Sequence, residues 1–192
     1  KHLVKRWPTA RNKTLEFING SEILFNYIAM TRRGDSETMN ILSATFDFVF
    51  IDQLEDPEFN YKLFQDIQGR MRGTAKYMGS DETMPKYCNF FMATTNPTQN
   101  WVNTKLVRPL KQFWKTGTVL PELLKDEREF EKTGKVVPII DLIEGTTYDN
   151  AHNLPEGFIE RLENIYTGIM RDKYMLGKWE VPEGLTYPMV KE

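Results

Sequence analysis

Residues Phe46-Asp47-Phe48-Val49-Phe50-Ile51-Asp52 form an almost unbroken apolar, β-forming run that stops abruptly at an acid. That pattern predicts a strand buried on both faces. Asn89-Phe90-Phe91-Met92-Ala93 repeats it and turns polar at Thr94-Thr95-Asn96-Pro97, which predicts a second buried strand opening into a polar loop at its C-terminal end. Strands of this kind, separated by helical patterns, indicate an α/β domain built on a mainly parallel sheet flanked by helices.

The remaining pattern fills in that frame. Thr14–Ile18 and Ser21–Phe25 are apolar-rich runs around Asn19-Gly20, a dipeptide that tolerates positive φ, so they predict a β-hairpin. Thr31 to Ser43 is polar, charged and aperiodic, a surface loop or short helix. Phe59, Leu63, Ile67 and Met71 recur every fourth residue and predict a helix from near Pro57, eroded by Gly69 and Gly73. Trp101 to Trp114 carries a looser helical stripe interrupted by Pro109. A charged helix is predicted over Pro121 to Lys132, and Val136 to Ile143 reads as a strand that Pro138 confines to an edge or bulge. Pro155 starts the clearest helical pattern, with Phe158, Leu162, Ile165 and Ile169 continuing to about Met175 and Gly177 placed to stop it.

Composition narrows the function classes. In 192 residues, 40% are hydrophobic and 25 Lys+Arg face 27 Asp+Glu, a formal net charge of −2. Such a chain is neither a disordered tail nor a disulfide scaffold, and at this size it can bury roughly 70% of its unfolded surface without metal or cross-links. Cys88 has no partner for an internal disulfide, which suits a reducing compartment. No apolar run approaches the ~18 residues that would cross a bilayer, so no membrane role is expected. The mild acidity removes the simplest argument for nucleic-acid binding, and any DNA contact must be local.

Ligands of open parallel sheets bind beyond the carboxyl ends of the strands, so the two predicted strand ends place Asp52-Gln53 and Thr94-Thr95-Asn96 on a common rim. An acid at a strand tip can hold Mg²⁺ through its hydration shell, and a hydroxyl- and amide-bearing turn beside it can hydrogen-bond a terminal phosphate or an attacking water. The same acid is equally suited to capping a following turn, and the same Thr-Thr-Asn to an ordinary Asx or ST turn before Pro97. His2 and His152 lack any metal-ligand spacing, the four tryptophans read as packing residues, and Asp126 to Lys132 reads as a solvated helix face.

The ordered series Asn19-Gly20-Ser21, Phe48-Val49-Phe50-Ile51-Asp52-Gln53, Arg70-Met71-Arg72-Gly73, Asn96-Pro97 before Trp101, Thr146-Thr147-Tyr148-Asp149-Asn150, Leu154-Pro155 and Tyr174 to Glu180 resembles the large subunit of tailed-bacteriophage terminases, from about residue 14 to the end. The resemblance implies the C-terminal portion of a P-loop NTPase (ASCE-type) ATPase domain, a motor that hydrolyses ATP to move double-stranded viral DNA into a procapsid. It implies residues 1–150 as the C-terminal half of that domain, with the Walker B strand and the coupling motif. Residues 151–192 would be a helical linker toward a nuclease domain. Asp52 is then the Mg²⁺-binding acid, and Thr94, Thr95 and Asn96 the motif that couples phosphate state to movement.

Where the family usually carries a catalytic glutamate after that acid, this chain has Gln53. An amide can orient water but cannot accept its proton, so Gln53 positions water, or Glu55 supplies the carboxylate, or hydrolysis is slow. Arg32, Arg33, Arg70 and Arg72 are the candidates for an arginine finger, within the subunit or across a ring interface. Implied partners are double-stranded DNA, the portal protein, the terminase small subunit and further copies in a ring, in the cytoplasm of the infected bacterial host and transiently at the portal vertex of the procapsid.

No Gly-x-x-x-x-Gly-Lys-Ser/Thr occurs; Gly134-Lys135 and Gly177-Lys178 are followed by Val and Trp. Together with the start at Lys1 and the stretch Gly184 to Pro188, this suggests an internal segment of a longer protein. The rival expectation is a non-catalytic split or decayed terminase fragment that acts as an interaction or structural module.

Overall fold

The computed structural model describes residues 3–26, 44–74 and 89–179. The expected loop at Thr31 to Ser43, together with Cys88 and Gly184 to Pro188, lies outside them. The chain divides into two compact units between Thr45 and Phe46.

The first unit is an antiparallel meander of β1 (Val4–Arg6), β2 (Thr14–Phe17) and β3 (Glu22–Leu24), in the order β1-β2-β3. The hairpin expected around Asn19-Gly20 is present: Leu15 faces Ile23, and Gly20 turns the chain at φ 85°. β1 has no clear apolar signature. It is held by backbone pairing and by Glu16, whose carboxylate meets both Lys5 and Arg6.

The second unit has mixed helix and strand content around a small parallel pair. β4 (Phe48–Ile51) and β5 (Phe90–Ala93) pair in register, Phe48 opposite Phe90 and Ile51 opposite Ala93. Between them runs α1 (Tyr61–Gln68), whose N-cap Asn60 accepts a hydrogen bond from the Leu63 N–H at 3.0 Å. α1 therefore begins later than Pro57: Asp56 accepts from the Glu58 N–H at 2.8 Å in a turn of its own, and Asn60 caps the helix that follows. Its apolar stripe buries Leu63, Phe64 and Ile67. Phe64 meets Phe91 of β5 edge-on at 5.4 Å and Trp101 at 5.3 Å, so an aromatic cluster underlies one face of the pair.

The other face corrects the expectation of strands buried on both sides. Phe48, Phe50, Phe90 and Met92 are each about half exposed, and the rings of Phe48 and Phe90 stack on one another at 5.7 Å. Alternation along a strand sends successive side chains to opposite faces, and among the described residues the aromatic packing lies on the inner face, where Phe91 meets Phe64.

Trp101 to Thr116 is helical throughout, where the sequence suggested an interruption at Pro109. A π turn over Asn103–Val107 precedes α2 (Arg108–Thr116), and Pro109 lies just inside α2. A proline lacks the N–H for an i→i−4 bond and its ring crowds the carbonyl four residues back; the widened turn accommodates both without a break. Val102, Leu106, Val107 and Leu110 form its buried side.

Downstream, three expectations need revision. The charged helix is two pieces, a 3₁₀ turn at Glu122–Leu124 and α3 (Glu127–Thr133), because the Asp126 side chain caps a new start by accepting from the Glu129 N–H at 3.0 Å. Val136 to Ile143 is not a strand. A single bridge joins Pro138 to Lys125, with Asp126 N–H donating to the Val137 carbonyl and Ile139 N–H to the Leu124 carbonyl. Pro138 has no N–H to extend a ladder. The helix expected up to about Met175 is α4 (Phe158–Ile165) followed by α5 (Gly168–Tyr174), interrupted where Tyr166 and Thr167 adopt extended backbone.

Gly177 combines φ 62° with a close approach, since a Cβ there would lie 2.8 Å from the Gly145 carbonyl oxygen. Beside it, Thr147 N–H donates to the Met175 carbonyl at 2.9 Å, which fixes the 3₁₀ segment Thr147–Asn153 against the end of α5. That segment opens with a reciprocal cap. Asp149 N–H donates to the Thr146 hydroxyl, and the Asp149 carboxylate accepts from the Thr146 N–H at 2.6 Å and its hydroxyl at 2.8 Å. The backbone bond first, then the hydroxyl, hold the Asp149 carboxyl below its ordinary value of 3.8.

Two outcomes follow from this packing. Leu110, 1% exposed, should cost about 2–5 kcal/mol on truncation to Ala, read as a drop in the urea midpoint; an unchanged midpoint would show the helix does not seal the core. For Asp149 the depressed folded pKa means its stabilisation is complete above the unfolded value and is lost as pH falls through the folded one. An NMR titration of its carboxyl carbon should find a midpoint below 3.8, moving upward in Thr146→Ala. A midpoint at or above 3.8 refutes the cap.

Candidate functional site

The parallel register decides where chemistry can gather. Because β4 and β5 run the same way and end level, Asp52 and Thr94 leave the pair side by side at its C-terminal end. The Thr94 hydroxyl donates to Asp52 Oδ1 and accepts from the Gln53 N–H at 3.1 Å, a donor-and-acceptor pairing that one hydroxyl can satisfy. Asp52 is exposed, so a carboxylate oriented by a neighbour still faces solvent.

After Asp52 the chain turns sharply. Gln53 sits at φ 59°, the left-handed region that costs a non-glycine residue of order 1–3 kcal/mol unless its surroundings impose it. Three bonds impose it: Gln53 N–H to the Thr94 hydroxyl, Leu54 N–H to the Thr94 carbonyl at 2.8 Å, and Asp56 N–H to the Gln53 carbonyl at 2.9 Å. The turn drives Leu54 into the core at 3% exposure and leaves the Gln53 side chain in solvent, with no hydrogen bond among the described residues.

Glu55 comes back toward the second loop instead. Asn96 Nδ2 donates to Glu55 Oε1 at 2.7 Å, and Asn100 Nδ2 to the Glu55 backbone carbonyl at 3.3 Å. The other carboxylate oxygen, Oε2, is buried and has no hydrogen-bond partner among the described residues. A buried carboxylate oxygen left bare costs free energy, so it calls for a donor such as a water or a bound group. Thr95, between the two linking residues, directs its hydroxyl to the Asn96 backbone carbonyl at 3.3 Å and bridges nothing across the strands.

The proposed rim is therefore assembled by two cross-links, Thr94 to Asp52 and Asn96 to Glu55, from two residues of one loop separated by Thr95. Sequence reasoning missed Asn100; the neighbouring Trp101, read as a packing residue, lies against Phe59 and Phe64, and its Nε1–H also donates to the Phe59 carbonyl at 2.9 Å, tying the start of the helix to the segment after Glu55. The Asn-Trp pair following Thr98-Gln99 was the available signal, since Asn100 also accepts from the Val102 N–H as a helix cap does.

The arginines fall elsewhere. Arg32 and Arg33 lie outside the described residues. Arg70 and Gly73 bond the backbone of Phe46 on both sides, with Phe46 N–H donating to the Arg70 carbonyl at 3.0 Å and Gly73 N–H to the Phe46 carbonyl at 3.1 Å. Arg70 and Arg72 thus stand at the entry end of β4. Six residues of strand, about 20 Å, separate that end from Asp52, beyond the reach of either side chain within this chain.

Among the described residues no group of three or more His, Cys, Asp or Glu could cage a metal ion. That donor set does not fit zinc or calcium but does fit Mg²⁺, which keeps most of its waters and takes one or two carboxylates together with substrate phosphates. No helix among the described residues is long and apolar enough to cross a membrane. Comparison with protein-family models, with curated proteins and with solved structures returned no match.

The two hydroxyls of the loop should separate cleanly. Thr94→Val removes a donor and an acceptor that link the strands and should lower stability by roughly 1–2 kcal/mol. Thr95→Val should change it by about half a kcal/mol or less. Equal urea midpoints for the two variants would show that the Thr94 link carries no weight.

Proposed function

We propose that this chain is part of the large subunit of a tailed-phage terminase, an ATP-hydrolysing motor that translocates double-stranded viral DNA into the procapsid. It would contain the C-terminal half of the ATPase domain, residues 1–150, and a helical linker, residues 151–192, toward a nuclease. The observation that carries this reading is the level, parallel ending of β4 and β5, which brings an exposed carboxylate and a hydroxyl-amide loop to one rim. Working partners in that reading are the portal protein, the terminase small subunit and other copies in a ring, at the portal vertex in the host cytoplasm.

In the mechanism, Asp52 would hold Mg²⁺, which when bound would supply positive charge against the ATP phosphates. Thr94 keeps the Asp52 carboxylate in one rotamer by donating to Oδ1. Glu55 is the carboxylate assigned to the attacking water: Asn96 occupies Oε1, and Oε2, buried in this structure, must be uncovered before it can accept the water's proton. The Gln53 side chain is exposed and makes no hydrogen bond among the described residues, and its amide is not basic enough to take a proton near neutral pH. Because Thr94 and Asn96 hold the two carboxylates from one loop, a displacement of that loop on phosphate release would shift Asp52 and Glu55 together. This is the physical content of a coupling motif.

In the intact reading frame, Asp52→Ala should abolish ATP turnover. Glu55→Gln should lower kcat by about 10²- to 10⁴-fold with KM little changed, while Gln53→Ala should keep most of the rate. Full turnover in Asp52→Ala would remove the motor reading and leave the non-catalytic fragment. Normal turnover in Glu55→Gln with a dead Gln53→Ala would move the water-directing role to Gln53.

A further inference from the structure

Among the described residues, two buried side-chain oxygens have no hydrogen-bond partner, Glu55 Oε2 and Thr98 Oγ1. Their needs are complementary. An ionised carboxylate only accepts, so Oε2 requires a donor, whereas a threonine hydroxyl carries one proton to give. Leaving both unmade costs free energy twice, and one bond between them removes both costs.

The path of the loop keeps Thr98 close to Glu55. Asn96 Nδ2 donates to Glu55 Oε1 at 2.7 Å, and Asn100 Nδ2 donates to the Glu55 backbone carbonyl at 3.3 Å. Thr98 lies two residues from each of them, and two residues of chain span at most about 7 Å, so both ends of this short stretch are pinned to the residue that lacks a donor. The intervening residues are committed elsewhere: Pro97 is buried and has no side-chain donor, and Gln99 Nε2 donates to the Trp179 carbonyl at 3.0 Å. Asn100 N–H donates to the Thr98 carbonyl at 2.9 Å, which fixes the backbone at Thr98 while its hydroxyl retains the staggered positions about χ1.

We propose that Thr98 is a positioning residue for Glu55, whose hydroxyl donates to Oε2 and latches the carboxylate in its covered arrangement. Asn96, Thr98 and Asn100 then hold Glu55 at three points from one five-residue stretch: one carboxylate oxygen, the other, and the backbone carbonyl. A carboxylate whose second oxygen is fastened and covered cannot reach a water, so Glu55 stays idle until the stretch moves and frees Oε2. The meaning of this latch for ATP turnover rests on the terminase reading; the bond itself does not.

The test uses the 192-residue chain without nucleotide and has two arms. In NMR spectra of the parent, the Thr98 hydroxyl proton should be visible as a slowly exchanging resonance with a cross-peak to the Glu55 side chain. In the second arm, carbodiimide and glycine ethyl ester amidate accessible carboxylates, and mass spectrometry of peptides follows Glu55 against the exposed Glu127. Thr98→Val, which keeps the shape and removes the donor, should speed Glu55 modification about 10-fold, because breaking one bond to a charged group raises the open population by that order. Thr98→Ser should return it to the parent rate, and Thr116→Val, which removes an exposed hydroxyl bonded within its own helix, should leave it there. A hydroxyl cross-peak that is missing or leads elsewhere, an unchanged Glu55 rate in Thr98→Val, or a Thr98→Ser variant as fast as Thr98→Val would each overturn the latch. If Thr98→Val does not fold, the cross-peak in the parent decides alone. Since neither arm contains ATP, failure here leaves the turnover measurements on Asp52 and Glu55 standing, and their failure leaves the latch standing.

Discussion

The in-register parallel pairing of β4 with β5 is the constraint on which the second unit turns. A parallel ladder can be formed only after a long crossover, and here the crossover includes α1 and returns the chain with Ala93 opposite Ile51. A slip of one residue would move Phe91 from the aromatic cluster to the outer face and bring Phe90 inward. It would also carry Thr94 past Asp52. The hydroxyl that links the strands and the rings that hold them on α1 therefore enforce the same register.

That register explains why a strained residue is tolerated next to the candidate metal ligand. Gln53 adopts a left-handed backbone because Thr94 offers its hydroxyl and its carbonyl to two successive N–H groups, so the cost is met by the neighbouring strand end rather than by Gln53 itself. The consequence is chemical. The turn leaves the Gln53 amide exposed and returns Glu55 to the loop, where one oxygen is held and the other is buried without a partner among the described residues. Site geometry here is a product of backbone path more than of which side chain follows the acid.

The bare outer face of the pair bears on the same point. Parallel sheets are ordinarily covered on both sides, and Phe48, Phe50, Phe90 and Met92 have the composition of covered positions while remaining about half exposed among the described residues. The inner face, by contrast, is closed by Phe64 and Trp101. Stability and site thus draw on one side of the pair, with the loop after β5 and the helix after it as the continuous path between them.

Much of this was legible in the residues. The two apolar runs, the hairpin at Asn19-Gly20, the stripe of α1 and the polar character of both strand ends are local properties, set by alternation, turn chemistry and helical period, and they appear where those rules put them. What local rules do not contain is long-range. Pro109 reads as a break until a π turn absorbs it; Val136 to Ile143 reads as a strand, yet among the described residues it forms a single bridge, to Lys125; and Tyr166-Thr167 interrupts a stripe whose spacing is unbroken. From sequence, Asp52 is the candidate for Mg²⁺, while Gln53 and Glu55 stand as alternatives for directing water. Only the tertiary pairing, with Thr94 and Asn96 arriving from some forty residues away, decides which carboxylate is oriented, which is left with a bare oxygen, and which side chain faces water, because hydrogen-bond partners are chosen by proximity in space.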